Sequence, residues 1–227
     1  MATYPYQEPT PYTSGERTLR PLGQVIRELP GQYLRIVTNP SVKTFTGELE
    51  KAEWRSVWFQ LLGWGFITAL LGFIAWLTTP FTLTILNFIP GMRPETVQAL
   101  LPRWPYGGQL LSVPLGFFTW MGLLYLMSRL FNGQGTFLEQ CYTSALFQVP
   151  IGIFSSLLAL IPYLGSWLNF ALFIYGIVLQ VYAFMAAHRV SGSKATAAVF
   201  LPGLLIAALV LVFVLVFAGV LIGTLLS

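Results

Sequence analysis

The stretch Pro202–Leu226, PGLLIAALVLVFVLVFAGVLIGTLL, decides the fold class. It carries no charge, and no polar residue lies between Gly203 and Gly219. A helix crosses a hydrocarbon core of ~30 Å with about 20 apolar residues rising ~1.5 Å each. The stretch meets that requirement, and the rest of the chain repeats it. Of 227 residues 56% are hydrophobic and only 9% charged, against roughly 45–50% and about 25% in a soluble domain. So little charge cannot keep a compact body of this size in water. A soluble enzyme, a disordered protein and a disulfide scaffold are excluded, the last because Cys141 is the single cysteine.

Working back from the last span, the charges fall in clusters separated by apolar gaps. Residues 1–55 hold Arg17, Arg20, Arg27, Arg35, Lys43, Lys51 and Arg55 with Glu8, Glu16, Glu28, Glu48, Glu50 and Glu53. Beyond Ser56 only Arg93, Glu95, Arg103, Arg129, Glu139, Arg189 and Lys194 remain. The gaps predict five spans: Ser56–Thr79, Gln109–Phe131, Thr143–Ile161, Ser166–His188 and Pro202–Leu226. The last has room to start earlier, since everything from Ala195 is apolar or small. Trp54, Trp58, Tyr163 and Trp167 sit at predicted ends, where indole and phenol rings favour the headgroup level. Trp64 and Trp120 fall inside spans and read as core.

The expected architecture is therefore an all-α membrane protein, a five-helix bundle over 56–227 preceded by a cytosolic amphipathic arm over 1–55. Basic residues in short flanking loops set orientation. Lys43, Lys51, Arg55, Arg129, Arg189 and Lys194 fall on the amino-terminal side, with Arg93 and Arg103 opposite. The amino terminus is expected inside and the carboxyl terminus outside. No signal-peptide pattern opens the chain, so the first span is expected to serve as an uncleaved insertion signal; in a cell without organelles this means the plasma membrane.

Residues 1–21 are rich in Pro, Tyr, Thr and Ser and read as an extended arm or a Pro-rich docking ligand. Leu22, Val25, Ile26 and Leu29 then recur at helical spacing until Pro30-Gly31, which is expected to break the run. Two readings stay open for this piece. It lies on the membrane surface with Arg20, Arg27 and Arg35 toward anionic headgroups, or it packs against the ends of the spans. Pro80–Gly108 is too apolar for a free loop and is expected as an interfacial flap or a re-entrant segment.

The residue inventory argues against catalysis. With one His, one Cys and no Asp, the chain assembles neither a conventional zinc set nor a Ser-His-Asp triad. No phosphate-binding glycine loop appears, and no predicted span has an ionisable residue at its middle. Ser155-Ser156 reads as helix packing, His188 as a solvated interfacial histidine, and Cys141 as an inert thiol in the loop Asn132–Tyr142 or a site of acylation. No cofactor is expected. Gln60, Thr68, Thr119, Gln148, Asn169 and Gln180 are the polar groups within spans, and Gln180 is the expected specific contact. Gly65-x-x-x-Ala69 and the face of Ala218, Gly219 and Gly223 permit close helix approach, within this chain or to a partner. Val113-Pro114-Leu115-Gly116 and Val149-Pro150-Ile151-Gly152 form an internal echo, the kind of repeat many transporters carry.

Asn39-Pro40-Ser41-Val42-Lys43-Thr44-Phe45 leads into the Trp-rich first span, and Tyr175–Pro202 reads YGIVLQVYAFMAAHRVSGSKATAAVFLP. Together the two stretches resemble the Yip-domain family, in its bacterial form. That resemblance covers roughly Pro40 to the end of the chain. It implies five spans, a cytosolic amino-terminal arm and a helix-packed protein without catalytic activity, whose partners are proteins or lipids. The Asp-Leu-Tyr-Gly-Pro signature of the eukaryotic members is absent, so their binding of Rab-type GTPases does not carry over. The expected function is a membrane scaffold or adaptor, in one version an accessory subunit of a respiratory or photosynthetic assembly. A small-solute or lipid transporter is the alternative. Expected partners are the bilayer and other membrane-protein subunits, and no nucleic acid.

Overall fold

The computed structural model describes residues 20–78, 108–161 and 163–226, all of it helix and connecting turns. The expectations for residues 1–19 and for most of the Pro80–Gly108 segment lie outside these residues. Among the described residues seven α-helices follow in order: α1 (Leu22–Thr38), α2 (Val42–Glu48), α3 (Trp54–Thr78), α4 (Gln109–Leu130), α5 (Phe137–Leu158), α6 (Leu164–His188) and α7 (Gly192–Leu226). A short 3-10 turn, Leu49–Lys51, joins α2 to α3. The five helices from α3 to α7 are long and apolar enough to cross a membrane.

Helix α5 is the centre of the bundle. It packs against α6, α3, α4 and α1, and every residue from Glu139 to Phe147 is buried. Its start is a correction to the sequence reading, six residues before the expected Thr143. Thr136-Phe137-Leu138-Glu139 forms a capping box, in which Thr136 Oγ1 accepts from the Glu139 N–H (3.2 Å) and Glu139 Oε2 accepts from the Thr136 N–H (2.7 Å). Glu139, Gln140, Cys141 and Tyr142 are therefore helical and buried rather than loop residues.

Two prolines behave differently from expectation. Pro30 does not break α1, which runs unbroken from Leu22 to Thr38. Val25, Leu29, Gln32 and Ile36 form one buried stripe, while Pro30 lies on the exposed side, where a missing N–H costs least. Pro202 does not open the last helix, which starts at Gly192 and continues through it. Prolines are tolerated in spanning helices where neighbours absorb the freed carbonyl, and Pro202 is buried.

Of the two readings of the amino-terminal segment, the structure has the packed one. Helices α1 and α2 lie across one end of the bundle, α1 on α5 and α2 on α6. Phe45 is fully buried and meets Phe147 edge to face at 6.2 Å. Polar groups tie the same end together. The Tyr33 hydroxyl donates to Gln60 Oε1 (3.2 Å), and the Tyr175 hydroxyl donates to the Val37 carbonyl (2.5 Å). Burial, and after it the neighbouring Tyr142, push the Tyr33 phenol pKa up, so it remains a donor at any physiological pH.

Candidate functional site

At this capped end the hairpin between α4 and α5 closes over the last turn of α6. His188 is 0% exposed, which corrects the expectation of a solvated interfacial histidine. Its Nε2 lies 2.7 Å from Gln140 Oε1, and Gln140 Nε2 donates to the Met121 carbonyl at 2.8 Å. Because the Gln140 amide nitrogen is committed to a carbonyl, its oxygen must accept. The His188 proton therefore sits on Nε2 and leaves Nδ1 bare. Nδ1 has no hydrogen-bond partner. Phe184 (4.6 Å between centroids) and Tyr125 (6.0 Å) flank the ring.

Glycines make this closure possible. A Cβ on Gly135 would stand 1.9 Å from the Ala187 carbonyl oxygen and 2.9 Å from His188 Nδ1. One on Gly133 would stand 3.0 Å from His188 Cβ. The backbone meets here directly, with the Gln134 N–H donating to the His188 carbonyl at 3.1 Å. The chain then leaves α6 through Arg189, whose φ of 55° is left-handed. Arg189 Nη2 lies 3.7 Å from Glu139 Oε1.

A second cluster fixes the amino-terminal helices. Glu48, 1% exposed, receives Arg35 Nη1 at 3.0 Å and Lys51 Nζ at 2.9 Å. Arg20 reaches Glu28 (3.0 Å), Glu53 (3.2 Å) and the Lys51 carbonyl (2.8 Å). Two of the three arginines singled out in the sequence thus engage carboxylates of their own chain. Arg27 lies exposed on α1, as do Lys43 on α2 and Arg55 on α3.

Farther along the bundle, Gln180 is buried and spends its whole amide inside the chain. Its Oε1 accepts from Gln148 Nε2 at 2.9 Å, and its Nε2 donates to Ser144 Oγ at 3.2 Å. Gly65 brings α3 against the start of α4, since a Cβ there would lie 3.0 Å from the Gln109 carbonyl oxygen. The internal echo is not matched in space. Gly116 has open room, while a Cβ on Gly152 would stand 2.3 Å from the Trp64 ring.

Ser156 Oγ donates to the Gly152 carbonyl of its own helix at 2.9 Å. Cys141 is fully buried in α5 rather than lying in a loop. Among the described residues, no three His, Cys, Asp or Glu side chains come together.

The last helix is different in kind. Its first turns pack on α6 and α4 through Ala195, Ala198 and Val199, which are buried. From Gly203 to Phe217 every residue is exposed, with Leu209 at 70% and Phe213 at 69%. The side chains of Ala218, Gly219 and Gly223 lie outside the described residues. Sequence reasoning found the apolar run but not that the bundle leaves it uncovered. It missed His188, Gln140 and Glu48 as buried anchors.

The comparisons with known proteins give one match. A family model described as the Yip1 domain covers residues 34–215, from the end of α1 well into α7. Both stretches that carried the sequence resemblance lie inside it. No curated protein and no solved structure matches the chain.

Proposed function

Because the chain belongs to the Yip1-domain family, we propose that it works as a non-catalytic membrane adaptor that holds other membrane-protein subunits side by side. The single observation that carries this reading is α7, bare of its own bundle from Gly203 to Phe217. Lipid solvates an apolar helix as well as another helix does, so association must come from shape and close approach. The small residues Ala218, Gly219 and Gly223 farther along α7 supply that shape, and a partner helix packs along this side. The rigid capped end, with Arg27, Lys43 and Arg55 exposed, faces the cytosolic leaflet, so the amino terminus is inside and the carboxyl terminus outside. The membrane is the plasma membrane, and the partner is a larger assembly of the respiratory or photosynthetic kind, to which this chain is accessory.

Purification in mild detergent, followed by identification of co-migrating chains, tests the reading. A Gly219→Ile, Gly223→Ile double variant inserts normally, since both changes add apolar surface, but loses the partner. Unchanged co-purification from that variant refutes α7 as the contact. Orientation is tested separately. A cysteine replacing Ser193 is expected to react from the cytosolic side and one replacing Tyr163 (90% exposed between α5 and α6) from the other. Labelling of both from one side, or of each from the side opposite to that expected, refutes it.

A further inference from the structure

The spanning helices leave a cavity of about 650 Å³ between them, lined by Trp64 of α3, Trp120 of α4 and segments of α5, α6 and α7. That volume is in the range of small-molecule sites, roughly 300–1,000 Å³. Glycines keep it open. A Cβ on Gly176 of α6 or Gly203 of α7 meets nothing within 4 Å, and both residues line the space. Phe173, Phe200 and Leu204 of the lining are exposed, which puts the mouth sideways between α6 and α7, toward the bilayer. Among the described residues, no charged side chain lines it.

The polar groups of the lining are unevenly satisfied. Gln148 gives its Nε2 to Gln180 Oε1 (2.9 Å), and among the described residues no group donates to its own Oε1. Asn169 Nδ2 donates weakly to the Ser155 carbonyl at 3.3 Å, which fixes the amide's orientation and leaves Oδ1 buried without a partner. The Trp64 indole N–H is buried and unpartnered as well. Of the three such side-chain atoms among the described residues, two belong to this lining. In hydrocarbon an orphaned polar group is costly because no water replaces the missing partner. Both residues line the cavity, the Trp64 Nε1 edge lying against Gly152, where a Cβ would stand 2.5 Å from it, so a guest that reorients the two side chains supplies the missing partners.

We propose that the cavity binds an uncharged, single-chain glycerolipid, a monoacylglycerol in its simplest form. Its ester carbonyl accepts from the Trp64 N–H, its two hydroxyls donate to the amide oxygens of Asn169 and Gln148, and its acyl chain leaves along the apolar wall toward the mouth. A charged headgroup finds no counter-charge here, and a two-tailed phospholipid exceeds the space.

The test uses the full chain in detergent with a monoacylglycerol carrying a diazirine in its acyl chain, and the matching methyl ester as comparison. Saturable labelling is expected on the cavity segments of α5 and α6, with the methyl ester at least tenfold weaker. Trp64→Phe and Asn169→Leu each weaken binding roughly three- to tenfold. The melting temperature of each lipid-free variant is read alongside, because Asn169→Leu also gives up the weak bond to the Ser155 carbonyl and Trp64→Phe gives up ring surface packed at Gly152; a merely structural role lowers it and leaves the affinity of the folded protein unchanged. Gly176→Phe fills the cavity and abolishes labelling; if it does not fold, the two polar variants still decide. Equal labelling by the methyl ester, unchanged affinity in both polar variants, or labelling that never saturates overturns the proposal.

Discussion

Gly135→Ala is the sharpest probe of the closure over His188. The added Cβ would stand 1.9 Å from the Ala187 carbonyl oxygen, a backbone atom that cannot rotate away. Side-chain carbons essentially never approach closer than 3.0 Å, so the hairpin must retreat by about 1.1 Å. That shift stretches the bond from the Gln134 N–H to the His188 carbonyl, now 3.1 Å, beyond hydrogen-bonding range. Losing one buried backbone bond costs about 1 kcal/mol. Forcing extra volume into a packed contact adds about 1–3 kcal/mol. The expected destabilisation is therefore about 2–4 kcal/mol, a drop in melting temperature on the order of 10 °C. Thermal unfolding in detergent, followed by tryptophan fluorescence, measures it. Gly122→Ala in α4 is the control, since its Cβ meets nothing within 4 Å and alanine is the better helix former by about 1 kcal/mol. If Gly135→Ala melts with the parent protein, the close backbone contact over His188 does not exist.

Three further perturbations follow from the same end of the bundle. Gln140→Leu strands the His188 Nε2–H in a dry site and is expected to cost about 1–3 kcal/mol, while Gln140→Leu with His188→Leu costs less than the two singles together, as a double-mutant cycle in thermal unfolding will show. Glu48→Gln removes the charge that Arg35 and Lys51 converge on and is expected to cost about 1–3 kcal/mol, detectable as earlier proteolysis of the α1–α2 segment. Cys141, 0% exposed, should resist a maleimide reagent in the native protein and react only after denaturation, so fast native labelling contradicts the packing of α5.

Much of this fold was legible because lipid is a simple solvent. Apolar length alone locates spans, so Gln109 and His188 were placed correctly as helix ends from charge gaps. Where the gaps misled, local chemistry held the answer. Glu139 reads as a loop residue by charge, yet Thr136-x-x-Glu139 is a capping signal that starts α5 before the apolar run begins. Pro30 reads as a breaker, but the spacing of Val25, Leu29, Gln32 and Ile36 continues across it. The candidate sites were less legible. Burial of His188 depends on Gly133 and Gly135 meeting the end of α6 across the bundle, and the pairing of Arg20 with Glu53 spans 33 residues. Neither leaves a local pattern. The uncovered state of α7 is likewise a fact of packing, since its sequence would suit a central helix equally well.

The adaptor reading is tested most directly by crosslinking in native membranes. A photoreactive amino acid replaces Leu209 or Phe213, both uncovered on α7, with Phe66 on α3 (61% exposed) as the lipid-facing comparison. A light-dependent protein adduct of one discrete mass is expected from the α7 positions and none from Phe66. Adducts to lipid alone at Leu209 and Phe213 would contradict the adaptor reading.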